Sequence, residues 1–256
     1  MPIRKILLAL SLMLLFHTSL FSVSLLLFRI PPGGHLVYYI ASGGYAALAA
    51  AALVCLQKTL RYLPSGAPLR RLNTANLLSL FRLSAIPTIL GFLIIAQEVK
   101  GIHIILLPYI AVVFLSDFFD GFIARKRKEQ TQFGKYLDSS SDYLLLFGFT
   151  GAYLYTKAVP SWFALLVLFR LLLQTLWIII VYTKWKSLEH KNTFLGKAAV
   201  FSIMLVYAFE LFELFSFPWI GNSTAVTILE WTAGSVVFAS IFDKLILMRR
   251  PEKEEQ

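Results

Sequence analysis

The sequence predicts an all-α polytopic membrane protein, and three observations carry that reading. The chain of 256 residues is 58% hydrophobic and only 15% charged, with a mean hydropathy of +0.72; water-soluble domains are not this apolar. Apolar runs of about 18 residues or more, the length needed to span a bilayer, recur from end to end. Cations gather in alternate connections between the runs, the pattern of the positive-inside rule. Other classes drop out. The one cysteine, Cys55, excludes an internal disulfide. His17, His35, His103 and His190 are scattered and form no metal pattern. The net charge of +10 suits basic loops against anionic membrane lipids, and no nucleic-acid module accompanies it.

The runs follow in order. The first, residues 6–28, comes after Arg4 and Lys5. Its length, and the turn sequence Arg29-Ile-Pro-Pro-Gly-Gly behind it, mark an uncleaved spanning helix and not a signal peptide. The second, residues 36–56, carries small residues from Ser42 to Ala52 that suit close helix packing or serve as plain filler. Residues 57–72 contain Pro64, Gly66 and Pro68 with Lys58, Arg61, Arg70 and Arg71. They read as a basic cytoplasmic linker between two accessory helices (1–56) and a catalytic membrane segment (73–248). Residues 249–256 form a charged cytoplasmic tail.

The third run, residues 73–96, holds a polar stripe of Asn76, Ser79 and Arg82, three apart. Pro87 is expected to kink it. The fourth and fifth runs are 103–125 and 133–155. The sixth, 162–182, has Arg170 near its middle, which either snorkels toward an acidic site or pairs with Glu210 or Glu213 of the seventh, 198–217. The eighth is 225–248.

Four carboxylates fall where the fourth and fifth runs meet. Asp117 and Asp120 are three apart and Asp138 and Asp142 four apart, so each pair shares a helix face. In an antiparallel hairpin Asp117 stands level with Asp142, Asp120 with Asp138, and Ala124 with Gly134. Arg82 lies at about the same depth and is expected to face the same cavity. Carboxylates this close cannot all stay ionised without cations. Oxygen-only ligands favour Mg²⁺ or Mn²⁺, and four negative charges balance two such ions. Two metals suit in-line displacement at phosphorus. A cation transporter also uses intramembrane acids, but those acids form a path across the bilayer, whereas these cluster at one face.

The pattern Asp117-x2-Asp120-Gly121-x2-Ala124-Arg125-x8-Gly134-x3-Asp138-x3-Asp142 resembles the signature of the CDP-alcohol phosphotransferases, membrane enzymes of phospholipid synthesis, at all of its fixed positions. Asn76-x2-Ser79-x2-Arg82-x4-Pro87 is similar to the first core helix of that family. The resemblance covers residues 73–248. It implies a six-helix core, here with two extra N-terminal helices, that transfers a phosphatidyl or similar group from a CDP-linked lipid donor to a small alcohol and releases CMP. It implies two divalent ions on Asp117, Asp120, Asp138 and Asp142, with Asp142 as general base. Asn76, Gly121, Ala124, Arg125 and Gly134 would surround the nucleotide.

Arg82, Lys135, Arg170 and Lys197 are the cations available to a phosphorylated acceptor, which leans the acceptor toward glycerol 3-phosphate. Inositol phosphate, serine, choline, ethanolamine and phosphatidylglycerol stay open. Arg170 resembles an arginine of the phosphatidylglycerophosphate-synthase-like branch, although Leu171 stands where that branch carries an acid. Gly196-Lys197 resembles a family element whose following Thr is absent here, with Val200 and Phe201 in its place. Of the 24 cations, only Arg29, Lys100 and Lys157 fall on the side opposite the acids, which predicts eight spans with both termini and the site at the cytoplasmic face of an inner or cell membrane. A homodimer is expected.

Overall fold

The computed structural model describes residues 2–30, 35–62, 66–69, 72–127, 129–185, 193–215 and 223–249. Among these are eight α-helices: α1 (Pro2–Leu27), α2 (His35–Cys55), α3 (Thr74–Ile95), α4 (His103–Lys126), α5 (Gln132–Thr156), α6 (Ser161–Trp185), α7 (Phe194–Leu214) and α8 (Ser223–Arg249). Each falls on one expected run, and the order is the expected one. Six of them, α1 to α4 with α7 and α8, are long and apolar enough to cross a bilayer. The other two are 25 residues each. Lys135, Asp138 and Asp142 fill the first half of α5, and the apolar stretch of α6 among the described residues is Ser161–Trp177.

Helix ends are set by local chemistry. Asn73 caps α3, its side chain accepting from the Asn76 N–H at 2.9 Å. Thr131 caps α5 and Thr193 caps α7 in the same way, on the N–H groups of Gly134 and Gly196. At the C-termini of α1 and α5, Arg29 and Lys157 adopt positive φ (52° and 57°). The next N–H in each case reaches back to a carbonyl of the last turn, Ile30 to Leu25 and Ala158 to Tyr153, both at 3.0 Å. Glycine is usual at such a cap; a cation here also complements the helix dipole.

The chain forms two compact units, Met1–Gly148 and Phe149–Gln256. The division falls inside α5 and not at the expected linker. The reason is that α1 and α2 pack on α3, so the accessory helices belong to the same unit as the first core helices. In that unit α3 is the central element, packed against α4 as well; most of its residues from Ala75 to Leu93 are buried. It continues through Pro87 as one helix. Phe21 of α1 and Tyr38 of α2 stack at 3.8 Å and close over Gly91 of α3, where a Cβ would come within 2.9 Å of both rings.

The linker is structured where it is described. A 3-10 turn, Leu56–Thr59, leads into a short antiparallel pairing of Arg61 with Pro68, with Gly66 turning at φ 63°. Tyr62 then bridges to Thr131, and Arg61 O accepts from Gln132 N at 3.0 Å.

In the second unit, α8 packs on α7 and α6. Trp162 stacks on Trp231 at 4.6 Å and lies over Gly234, where a Cβ would meet it at 2.7 Å. Tyr153 donates to Tyr207 O at 2.9 Å, and the Tyr207 hydroxyl pairs with Thr150 at 2.6 Å. Glu210 of α7 and Glu230 of α8 are both buried.

Candidate active site

The site forms where α3, α4 and α5 meet, and Arg82 is its centre. Its three guanidinium nitrogens are all engaged. Nε donates to Ser141 Oγ at 2.9 Å. Nη1 lies 3.5 Å from Asp120 Oδ2. Nη2 pairs with Asp138 Oδ1 and lies 3.5 Å from Asp142 Oδ1. The face shared by Asn76, Ser79 and Arg82 is therefore the one turned to the acids: Ser79 donates to Asp120 Oδ2 at 2.8 Å. Asp120 is buried, whereas Asp138 and Asp142 are each nearly half exposed, at 46% and 45%. The side chains of Asp117 and Arg125, both expected at the site, lie outside the described residues.

Beside the acids is a cavity of about 360 Å³ lined by Asn76, Ser79, Asp120, Gly121, Ala124, Thr131, Gly134, Lys135 and Asp138 among others. Asn76 is 1% exposed and its Nδ2 has no hydrogen-bond partner, leaving a buried donor for a ligand. Its Oδ1 accepts from Thr131 at 3.1 Å. Thr131 thus fixes Asn76 and caps α5 at once, while Asn73 Nδ2 ties the preceding loop by bonding Glu129 O at 2.8 Å. Gly134 has a reason the sequence does not show. A Cβ there would lie 2.6 Å from Asn76 Oδ1 and 2.9 Å from Thr131 Oγ1, so its empty space is filled by protein.

Arg170 and Lys197 belong to the second unit. Arg170, in the second unit, donates to Ser240 Oγ at 2.8 Å and to the Gly196 carbonyl at 3.0 Å. Gly196 thereby serves α6, and Lys197 is exposed on the first turn of α7. Sequence reasoning missed Thr131 and Ser141. The run Asp138-Ser-Ser-Ser-Asp142 was the available signal for Ser141; Thr131 stands at a capping position, three residues before Gly134.

Residues 72–243 match the sequence profile of the CDP-alcohol phosphatidyltransferases. The chain belongs to this family. It is an integral membrane transferase of phospholipid biosynthesis that uses a CDP-linked lipid donor. The chain is similar to a CMP-forming cardiolipin synthase of Streptomyces coelicolor, 31% identical over 64% of this chain and 80% of the relative. A putative cardiolipin synthase of Mycobacterium tuberculosis is 30% identical over 53% of this chain and 63% of the relative. A CDP-diacylglycerol–glycerol-3-phosphate 3-phosphatidyltransferase of Aquifex aeolicus is 38% identical, over 30% of this chain and 40% of the relative. No solved structure matches the chain.

Members of the family use divalent metal. Among the described residues no three His, Cys, Asp or Glu side chains form a metal cage. The chemistry of the donor set is what a divalent cation requires. Three carboxylates converge on a single guanidinium, so negative charge exceeds positive at this point, and the ligand atoms are all oxygen.

Proposed function

We propose that the protein transfers the phosphatidyl group of CDP-diacylglycerol to a hydroxyl of phosphatidylglycerol, forming cardiolipin and CMP. The observation that carries this choice of acceptor is the commitment of Arg82. The preference for a phosphorylated small alcohol rested on Arg82, Lys135, Arg170 and Lys197, and Arg82 is held by three carboxylates. The extent of similarity supports the same choice, 177 residues for the cardiolipin synthase against 76 for the glycerol-3-phosphate enzyme. Glycerol 3-phosphate is the second reading, favoured by Lys135, an exposed cation on the cavity wall beside Asp138.

Asp117, Asp120, Asp138 and Asp142 would hold two Mg²⁺ or Mn²⁺ ions, which when bound neutralise the pyrophosphate and the charge that develops on departing CMP. The chain's own residues do the rest. Asn76 offers Nδ2 to the nucleotide, Gly121 and Ala124 leave the cavity wall low, and Arg125 stands one turn from Gly121 to meet a phosphate. Asp142 takes the acceptor's proton as its oxygen attacks phosphorus and the bond to CMP breaks. Its support is its separation from Arg82, 3.5 Å, where Asp138 is paired directly. The cation bias supports a cytoplasmic site and cytoplasmic termini.

The test is reconstitution in vesicles with radiolabelled CDP-diacylglycerol and either acceptor. Labelled cardiolipin with phosphatidylglycerol is the expected product. Labelled phosphatidylglycerophosphate, formed only with glycerol 3-phosphate, establishes the second reading. Turnover with neither phosphatidylglycerol nor glycerol 3-phosphate, but with another alcohol, defeats both.

A further inference from the structure

Tyr45 of α2 donates its hydroxyl to the backbone carbonyl of Leu83 at 2.8 Å. Leu83 stands four residues before Pro87 in α3. In an uninterrupted helix that carbonyl accepts from the N–H of the fourth residue on, and proline has no N–H to give. Tyr45 supplies from a neighbouring helix the donor that Pro87 withholds. Just past the proline, Tyr38 pairs with Thr88 Oγ1 at 2.8 Å. Tyr38 and Tyr45 are two turns apart on one face of α2, so this face grips α3 on both sides of Pro87. Phe21 of α1 stacks on Tyr38, and His17 of α1 packs on Phe81 at 4.7 Å and bonds the Tyr109 hydroxyl of α4 at 2.8 Å. The contacts at Phe81 and Leu83 flank Arg82.

We propose that Tyr45 is a positioning residue for the transfer reaction. Its hydroxyl fixes the Leu83 carbonyl, and with it the backbone from which Arg82 reaches Asp120, Asp138 and Asp142. The two N-terminal helices are in this respect a brace on the reacting centre. The inference rests on the reading of Arg82 and the acids as that centre.

The test uses the whole chain of 256 residues, with kcat, donor KM and melting temperature measured for each variant. Tyr45→Phe keeps the ring and removes the donor; kcat is expected to fall about five- to tenfold, with donor KM changed by less than about twofold and a lowered melting temperature. Adding Pro87→Ala returns an N–H to position 87 and satisfies Leu83 from within α3. Melting temperature is expected to recover while kcat stays low, because the tie to α2 is still missing. Tyr39→Phe, on the same helix but bonded to Ser22 at 2.6 Å, should leave kcat unchanged. The proposal is overturned if Tyr45→Phe turns over within about twofold of the parent, or if kcat recovers together with stability in the double variant. Arg82→Gln separates the two levels of the argument. If it keeps full kcat, the reading of the site falls; if it loses turnover while Tyr45→Phe does not, only the brace falls.

Discussion

Arg82 and Asp138 are joined through Nη2 and Oδ1, yet the arginine is 1% exposed and the aspartate 46%. The cation is sunk in protein and the anion faces the opening of the site. An arrangement of this kind fixes the carboxylate from behind and leaves its outward side for a ligand. It also makes Arg82 a counter-charge for the acids, where the sequence suggested a group waiting for the acceptor.

Removal of that counter-charge should be costly. Breaking a buried ion pair from one side costs about 3–5 kcal/mol, and the lower end applies because Asp138 and Asp142 are screened by exposure. Arg82→Gln is expected to lower the melting temperature and to reduce kcat more than a hundredfold, by about 3 kcal/mol or more. Arg82→Lys keeps the charge but cannot reach Ser141, Asp120 and Asp138 together, and should fall between. Thermal melting in detergent beside CMP release measures both.

Gly134→Ala should act out of proportion to one methyl group. Its Cβ would displace Asn76 and Thr131, whereas Gly151 on the same helix has nothing within 4 Å. Donor KM is expected to rise by about tenfold or more in Gly134→Ala, the equivalent of about 1.4 kcal/mol. Gly151→Ala should leave KM alone and stabilise the helix by up to about 1 kcal/mol. Equal effects at the two positions would show that crowding at Asn76 is not what matters.

Thr131→Val loses a helix cap and the anchor of Asn76 in one step. A cap is worth about 0.5–2 kcal/mol, so a lower melting temperature is expected. The informative measurement is donor binding. It should weaken in Thr131→Val and recover substantially in Thr131→Ser, which restores the hydroxyl.

Chelation should abolish activity, and Mg²⁺ or Mn²⁺ should restore it. The expectation follows from three carboxylates set around one guanidinium. Full turnover in excess EDTA would remove the metal reading and leave Arg82 as the working cation.

The helices were legible because apolar length and polar punctuation are local properties. Every expected run became a helix, with ends shifted by a few residues as capping side chains such as Asn73 and Thr193 decided. The spacing of Asn76, Ser79 and Arg82 showed which residues share a face, and the spacing of the aspartates showed which lie level. What spacing cannot show is the partner across a gap. The pairing of Arg82 with Asp138 crosses 56 positions, and that of Tyr62 with Thr131 joins the linker to the acidic hairpin. Thr131, Ser141 and Tyr45 are ordinary residues in sequence. Their roles come from carbonyls, amides and rings brought close by packing. Gly134 was legible as a small residue, but the atoms that require it belong to α3 and to the loop before α5.

The position of Arg82 has a consequence for how the protein is made. The helix α3 precedes α4 and α5 in the chain, so Arg82 reaches the membrane ahead of the three carboxylates that hold it. A lone arginine at the centre of a spanning helix costs about 2.5–3.5 kcal/mol on insertion scales. Arg82 avoids most of that cost by standing in the third turn of α3, within reach of the headgroups. Its burial against Asp120, Asp138 and Asp142 has to follow the arrival of the acidic hairpin, which ties the folding of α3 to the two helices after it.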